Sequence, residues 1–314
     1  MSASLSDRAL WAGLLGDAGI GALFSDEAEI AAMIEVERAL ARAEAALDVI
    51  PAEAAQAIDA GLAGAEVARE ALAEGVARDG VPVATLVSLL RERLGGEAAH
   101  WLHWGATSQD VMDSGLALRL ARALDALEAR LDPLEQRLAQ TAERHAATPM
   151  AARTRARMAA PVSYGLRAAQ WLHPLPDLRD RLAALRPRLL RVQFGGAVGA
   201  RSVVAPHGEA VAAALARELG LAAAPPWHVQ RAALGELGGW CADLCAALAK
   251  MAGDMILMSR DEAGELRLAG GGGSSTMPNK SNPVAAEAVV ALARHVAALS
   301  ASLHAAPAEE RDGA

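Results

Sequence analysis

Aromatic residues are scarce: Phe, Trp and Tyr together make up 3% of the 314 residues. Strands favour aromatic and β-branched side chains. A chain that is 53% hydrophobic, with much of that alanine, therefore favours close-packed helices over a β-sandwich. Cysteine occurs only at Cys241 and Cys245. No disulfide framework or zinc-ligand pattern follows from two such residues, so a reducing, cytoplasmic compartment is expected. No run of about 18 uncharged apolar residues is visible, so no membrane span is expected. The opening "MSASLSDRALWAG" lacks a basic region followed by an apolar core, so no secretory leader is expected either. Positive charge is in deficit, with a net charge of -8, which argues against a general nucleic-acid binder. A small anionic substrate held by a local basic site remains compatible with that balance. β-Branched runs alternating with helices, the mark of a Rossmann or barrel fold, are missing.

What is present is helical periodicity. In "DEAEIAAMIEVERALARAEAALD", residues 26–48, Met33, Val36, Leu40, Ala43 and Leu47 form one apolar stripe. Asp26 and Glu29 make a capping-box-like start. Shorter helices are predicted over 52–62, 66–78 and 82–94, the last ended by Gly95-Gly96. Thr107 and Asp110 cap a helix running to about His145, with a kink expected near Pro133. A further long helix is predicted from Pro161, disturbed at Pro174, Pro176 and Pro187, followed by the loop "QFGGAVGARSVVAPHGE". Over 229–264, Leu234, Leu237, Cys241, Leu244, Leu248, Met251, Met255 and Met258 form a heptad seam. A final helix covers about 284–304. These readings predict an all-α long-helix bundle, divided into an N-terminal helical domain (1–104) and a central bundle domain (105–314). Helices of 35–40 residues are roughly 50–60 Å long. A chain of this size cannot cover them on every side, so other subunits are expected to complete the core.

Three segments carry the chemistry. "HWLHWGATSQDVMDSG" (100–115) places Thr107 and Ser108 at a helix N-terminus, where hydroxyls and free amides bind carboxylates, with His100 and His103 nearby. Thr107 can equally be a simple cap. A metal site from the two histidines is not expected, because the spacing matches no zinc pattern. "AARTRARMAAPVSYG" (151–165) alternates Arg153, Arg155 and Arg157; on extended backbone these point to one side and could grip a polycarboxylate, or form a solvated basic patch. "GGGGSSTMPNKSNP" (270–283) combines a glycine run with Ser274 and Ser275 as potential nucleophiles or proton carriers. Its Lys280 and Asn282 can donate to a developing oxyanion. A phosphate-binding P-loop fails here, because Ser274 and Asn279 stand where it needs glycine and no strand precedes it.

"GGSSTMPNKSNP" resembles the G-S-S-x-x-P-x-K-x-N signature of the fumarase/aspartase superfamily. "HWGATSQDVMDSG" resembles an earlier motif of that superfamily, and "RTRARMAAP" occupies the place of its T-H-x-Q-x-A-x-P segment. Within the superfamily, "FSDEAEIAAMIEVERALARAEA", "RPRLLRVQFGGAVGA" and "PPWHVQRAALGELGGWC" resemble the bacterial cycloisomerase branch, which closes an unsaturated tricarboxylate to a lactone during aromatic catabolism. The resemblance implies a cofactor-free homotetramer whose active sites each draw three segments from three subunits. It makes Ser274 the proton carrier, Lys280 and Asn282 the carboxylate clamp, and Thr107, Ser108, Ser275, Arg153 and Arg155 further substrate contacts. His103 becomes a substrate-binding or acid/base group, and Glu287 matches a glutamate that often orients a histidine. That histidine is replaced here by Arg155. Arginine cannot give up a proton near neutral pH, so a lyase with a poor leaving group is disfavoured, whereas a lactonising enzyme expels only a carboxylate. Cycloisomerases of the superfamily also lack the histidine. The competing readings are a fumarate-releasing lyase like adenylosuccinate lyase and a helical scaffold without activity. Family members are usually longer, so a C-terminal domain is expected to be absent or reduced.

Overall fold

The computed structural model describes residues 9–155, 157–269, 271–273, 276–277 and 280–305. Among the described residues it is dominated by thirteen α-helices: α1 (Ala12–Leu15), α2 (Ala18–Leu23), α3 (Asp26–Ala45), α4 (Ala52–Leu62), α5 (Arg69–Asp79), α6 (Val83–Leu94), α7 (Gly96–Trp101), α8 (Ser108–Arg144), α9 (Tyr164–Leu172), α10 (Pro174–Leu189), α11 (Gly208–Leu219), α12 (Ala232–Met258) and α13 (Val284–Ala305). Two short strands, β1 (Pro149–Thr154) and β2 (Arg157–Ser163), pair antiparallel between α8 and α9. The chain folds into two compact units. Among the described residues, a long-helix unit comprises 9–17, 126–185 and 234–305, and a helix-cluster unit comprises 18–125 and 186–233.

In the helix-cluster unit, α3 is the central element and packs on α4 and α11. Its stripe is buried from Met33 through Val36 and Leu40 to Ala43, but α3 ends at Ala45, short of the expected 48, and Leu47 lies beyond it and is half-buried. Ile58 and Leu62 of α4, Leu86 and Leu90 of α6, and Leu215 of α11 complete the core. The cap of α3 is one residue earlier than expected. Ser25 Oγ accepts the Ala28 N–H at 3.2 Å, and Asp26, Glu27 and Glu29 lie in the first turn, where they favour the helix dipole. Pro51 precedes α4, and α6 ends at Gly95, whose φ of 61° is accessible to glycine at little cost. Helix α11 was not anticipated.

In the long-helix unit, the predicted helix from Pro161 is corrected. Residues up to Ser163 form the hairpin, and α9 starts at Tyr164 with Ser163 Oγ accepting the Leu166 N–H at 3.1 Å. Gly165 allows α9 to press against the end of α8: a Cβ there would lie 2.3 Å from the Ala142 carbonyl oxygen. Trp171 of α9 donates to Asp254 of α12 at 2.9 Å, and Trp240 of α12 donates to the Leu178 carbonyl at 2.8 Å. The seam of α12 is only half covered, with Leu244 and Met258 buried but Leu237, Leu248, Met251 and Met255 partly open. Cys241 and Cys245 lie on this helix, and burial pushes the Cys241 thiol up to about 11, as for an inert core residue.

Helix α13 departs from expectation in one respect. By length and mean hydropathy it is long and apolar enough to cross a membrane, although Glu287 and Arg294 interrupt its apolar run. Of its residues only Ser300 is buried, while Val289, Leu292, Leu299 and Leu303 are exposed.

Candidate active site

The helix-cluster unit builds a polar knot at the start of α8. Asp110, in the first turn, is buried and accepts four hydrogen bonds. Oδ1 takes the Gln193 amide at 2.9 Å and the Gly195 N–H at 2.8 Å; Oδ2 takes the Gly196 N–H at 2.8 Å and the Thr107 N–H at 3.0 Å. Burial raises the Asp110 pKa, against the opposing pull of those four donors. Ser114, one turn further on, donates to the Gln193 carbonyl at 3.0 Å and accepts its N–H at 2.9 Å. Gln193 Oε1 in turn accepts the Trp227 N–H at 2.7 Å. One carboxylate thus ties the Thr107–Ser108 helix start to the 193–196 loop. Asp110→Asn removes acceptor capacity from a buried cluster of donors and is expected to cost about 2 kcal/mol of stability, read as a fall in the urea midpoint.

Beside this knot, Arg231 pairs with the buried Asp113 at 2.8 Å, and its guanidinium lies 5.3 Å from the centre of the Trp227 ring. His103 sits at a left-handed backbone position (φ 64°) before Gly105, and its Nδ1 is 2.6 Å from Glu37 Oε1. His100 instead packs in an aromatic cluster with Trp101 and Trp104, at 5.1 and 5.7 Å between ring centres. Thr107 and Ser108 are partly buried, so the structure places His103, Thr107 and Ser108 in one unit around the same helix start. Glu37 and Asp110 had not been singled out as site residues. In hindsight Glu37 had a signal: it falls at the spacing of the α3 apolar stripe, four residues after Met33 and three before Leu40.

The long-helix unit holds Arg153, Arg155, Lys280, Asn282 and Glu287. The arginine run is not one extended edge. Arg153 lies on β1, Arg155 occupies the hairpin turn with φ 48°, and Arg157 begins β2 opposite Thr154. The expectation that alternation points all three to one side is therefore corrected: the chain reverses at Arg155. Arg153 is held in a two-bond pair with Glu265, at 2.8 and 2.9 Å. Lys280 is exposed, and its N–H donates to the Met277 carbonyl at 3.1 Å. The chain has only two lysines, and the other, Lys250, is paired with Asp254 on α12. Asn282 closes the base of the signature loop by exchanging backbone hydrogen bonds with Gly272 at 2.9 and 2.8 Å. Glu287 is exposed in the first turn of α13. Ser274 and Ser275 lie outside the described residues. Among the described residues, no three His, Cys, Asp or Glu side chains gather as a metal site requires.

A cavity of about 290 Å³ adjoins the loop base, lined by Leu248, Met251, Met255, Leu268, Val284 and Asn282. Its lining is apolar and does not suit several carboxylates.

Comparison with known proteins agrees with this architecture. The model of the lyase family matches residues 20–298. A 3-carboxy-cis,cis-muconate cycloisomerase of Pseudomonas aeruginosa is 44% identical over 298 residues, covering 93% of this chain and 65% of that protein. A nitrosuccinate lyase of Streptomyces davaonensis is 38% identical over 328 residues, covering 99% and 69%. The crystal structure of a 3-carboxy-cis,cis-muconate lactonizing enzyme from Pseudomonas putida superposes with a TM-score of 0.90 at 38% identity, covering 97% of this chain and 69% of that one. The chain thus spans between 65% and 69% of the length of these relatives. With an all-α fold of this type and a family match over most of its length, the chain belongs to the lyase family, the fumarase/aspartase superfamily.

Proposed function

We propose that the protein interconverts 3-carboxy-cis,cis-muconate and a carboxymuconolactone, a step of aromatic catabolism through protocatechuate. The observation that carries this reading is Arg155. It stands where many superfamily lyases keep an acidic histidine, and it occupies an exposed hairpin turn. A guanidinium holds negative charge but does not protonate a leaving group. Lactone opening expels a carboxylate, which leaves without a proton. In the forward direction, one carboxylate of the substrate attacks a carbon of its own diene, so proximity replaces a second reactant. A C–O bond forms, the conjugated carboxyl gains a second negative charge as an aci-carboxylate, and a proton added to carbon ends the step. No electron leaves or enters. Lys280 and Asn282 supply donors for the doubled charge, and Ser274 carries the proton. Thr107, Ser108, Ser275, Arg153 and Arg155 hold the remaining carboxylates; His103 binds substrate or supports proton transfer, and Glu287 supports the loop end. Arg153 exchanges Glu265 for a substrate carboxylate when it does so.

Four copies assemble in the cytoplasm, each active site drawing its three segments from three copies. The exposed apolar side of α13 and the half-open seam of α12 support this, because contiguous apolar surface of that kind is usually covered by a partner. The test is to incubate the protein with 3-carboxy-cis,cis-muconate and follow the diene absorbance. Loss of absorbance is expected. Retained absorbance together with consumption of adenylosuccinate or nitrosuccinate overturns the proposal, and no turnover of any of these favours a scaffold.

A further inference from the structure

Helix α3 carries two acids where its stripe should be apolar. Glu37 and Glu44 are seven residues apart, hence two turns, on the side of the helix that buries Met33 and Leu40, and both are buried. Burying a charge is costly unless it is paired. Glu37 has its pair in His103, at 2.6 Å. The two side chains differ in access: His103 keeps 17% of its surface, and Glu37 keeps none. A ligand can therefore reach the imidazole but not the carboxylate behind it. The peptide just before His103 is also fixed, because Arg91 donates to the Leu102 carbonyl at 2.9 Å. The Glu37 contact and this peptide anchor together hold His103 at its uncommon backbone position.

A carboxylate only accepts hydrogen bonds, so the imidazole atom facing Glu37 must carry hydrogen. We infer that Glu37 is a positioning residue for His103: it fixes the Nδ1–H tautomer and the plane of the ring, and leaves Nε2 as the nitrogen that takes up a proton and then donates to a substrate carboxylate. Only the identity of the substrate rests on the reaction proposed above; the dyad does not. Three charged groups face His103: Glu37 from α3, Arg91 from α6 and Asp110 from α8. Burial disfavours the imidazolium, Glu37 and Asp110 favour it, Arg91 opposes it, and the net direction is upward. Glu44 is different. Burial, with the nearby charge of Glu37, pushes its pKa up to about 9, so it is an uncharged acid at neutral pH. Glu44→Gln is therefore a control that removes a carboxyl beneath Glu37 without changing the charge that His103 feels.

The readout is long-range 1H–15N correlation of the histidine rings in the uniformly labelled protein, with His103 identified by its loss in His103→Asn. The wild-type ring should be the Nδ1–H tautomer below saturation by protons, with a titration midpoint above the ordinary histidine value. Glu37→Gln should lower that midpoint by about one unit, a tenfold change in proton affinity, and Glu44→Gln should leave it in place. In Glu37→Gln the acid limb of kcat/KM for the tricarboxylate should move with the ring. An Nε2–H tautomer in the wild type, or a midpoint indifferent to Glu37→Gln, overturns the inference. So does a midpoint that moves while the rate profile of an active enzyme stays still. The wild-type tautomer requires no change at Glu37, so poor folding of that variant does not leave the question open. If no tricarboxylate is turned over, the proposed reaction fails while the ring spectra still decide the role of Glu37.

Discussion

Lys280→Met is expected to lower kcat/KM for 3-carboxy-cis,cis-muconate by about 10²–10³-fold, or about 2.7–4 kcal/mol of transition-state stabilisation, the usual cost of removing one oxyanion donor. The circular dichroism spectrum and thermal midpoint should not change. The reasons lie in where the residue is. Lys280 is exposed in a loop, and its backbone N–H, which the substitution keeps, bonds to the local Met277 carbonyl, so the fold loses little with the ammonium. The chemistry loses more, because the aci-carboxylate concentrates two negative charges on one carboxyl group. The only other lysine is paired with Asp254 on α12 and cannot substitute. Lys280→Arg should restore little, since a planar fork replaces a compact point charge. A rate that survives Lys280→Met would remove the signature loop from the charge clamp.

Glu44→Gln is expected to stabilise the protein at neutral and alkaline pH and to flatten its pH dependence. The folded pKa of Glu44 is raised to about 9, against an ordinary 4.5. Between those values the folded state holds a proton that the unfolded state releases. Stability therefore falls as pH rises from about 4.5 towards 9, and the penalty is complete only above the folded value. At pH 7 the gap from the unfolded value corresponds to about 3 kcal/mol, taken at about 1.36 kcal/mol per unit. Glutamine matches the neutral acid in shape and has no proton to lose. Urea midpoints of the two proteins should nearly coincide at pH 5 and diverge steadily to pH 8.5. Parallel midpoints across that range would show that Glu44 is charged or solvated in the folded protein.

The elements that were legible in the sequence are those with local punctuation. Pro51 marks the start of α4, Gly95 the end of α6, and the Thr107–Asp110 pair the start of α8, all to within about a residue. The signature loop was legible because its glycines and Lys280 interrupt helical sequence on both sides. The hairpin at 149–163 was not. Pro161 has the look of a first helical residue, and "PMAART" and "RMAAPVS" are short of β-branched side chains, so the pairing comes from context rather than propensity. The cap at Ser25 was hidden by the equally suitable Asp26 next to it. Glu37 and Glu44 were hidden for another reason: a charge on a helix is read as solvent-facing unless its spacing is weighed above its chemistry. Seam spacing located α12, but not how much of it the chain itself would cover.

The Gly272–Asn282 bridge has a further consequence. The two residues close a ring of chain at its base, and α13 begins two residues beyond it. Adding one residue to a closed stretch of about ten raises its closure entropy by only (3/2)RT ln(11/10), on the order of 0.1 kcal/mol. Insertions above the bridge leave the register of α13 untouched. A small change in loop length thus costs little in closure entropy, and substrate fit is what restrains it. A library of one- and two-residue insertions between Gly273 and Lys280 should therefore sort by turnover while melting at nearly the same temperature.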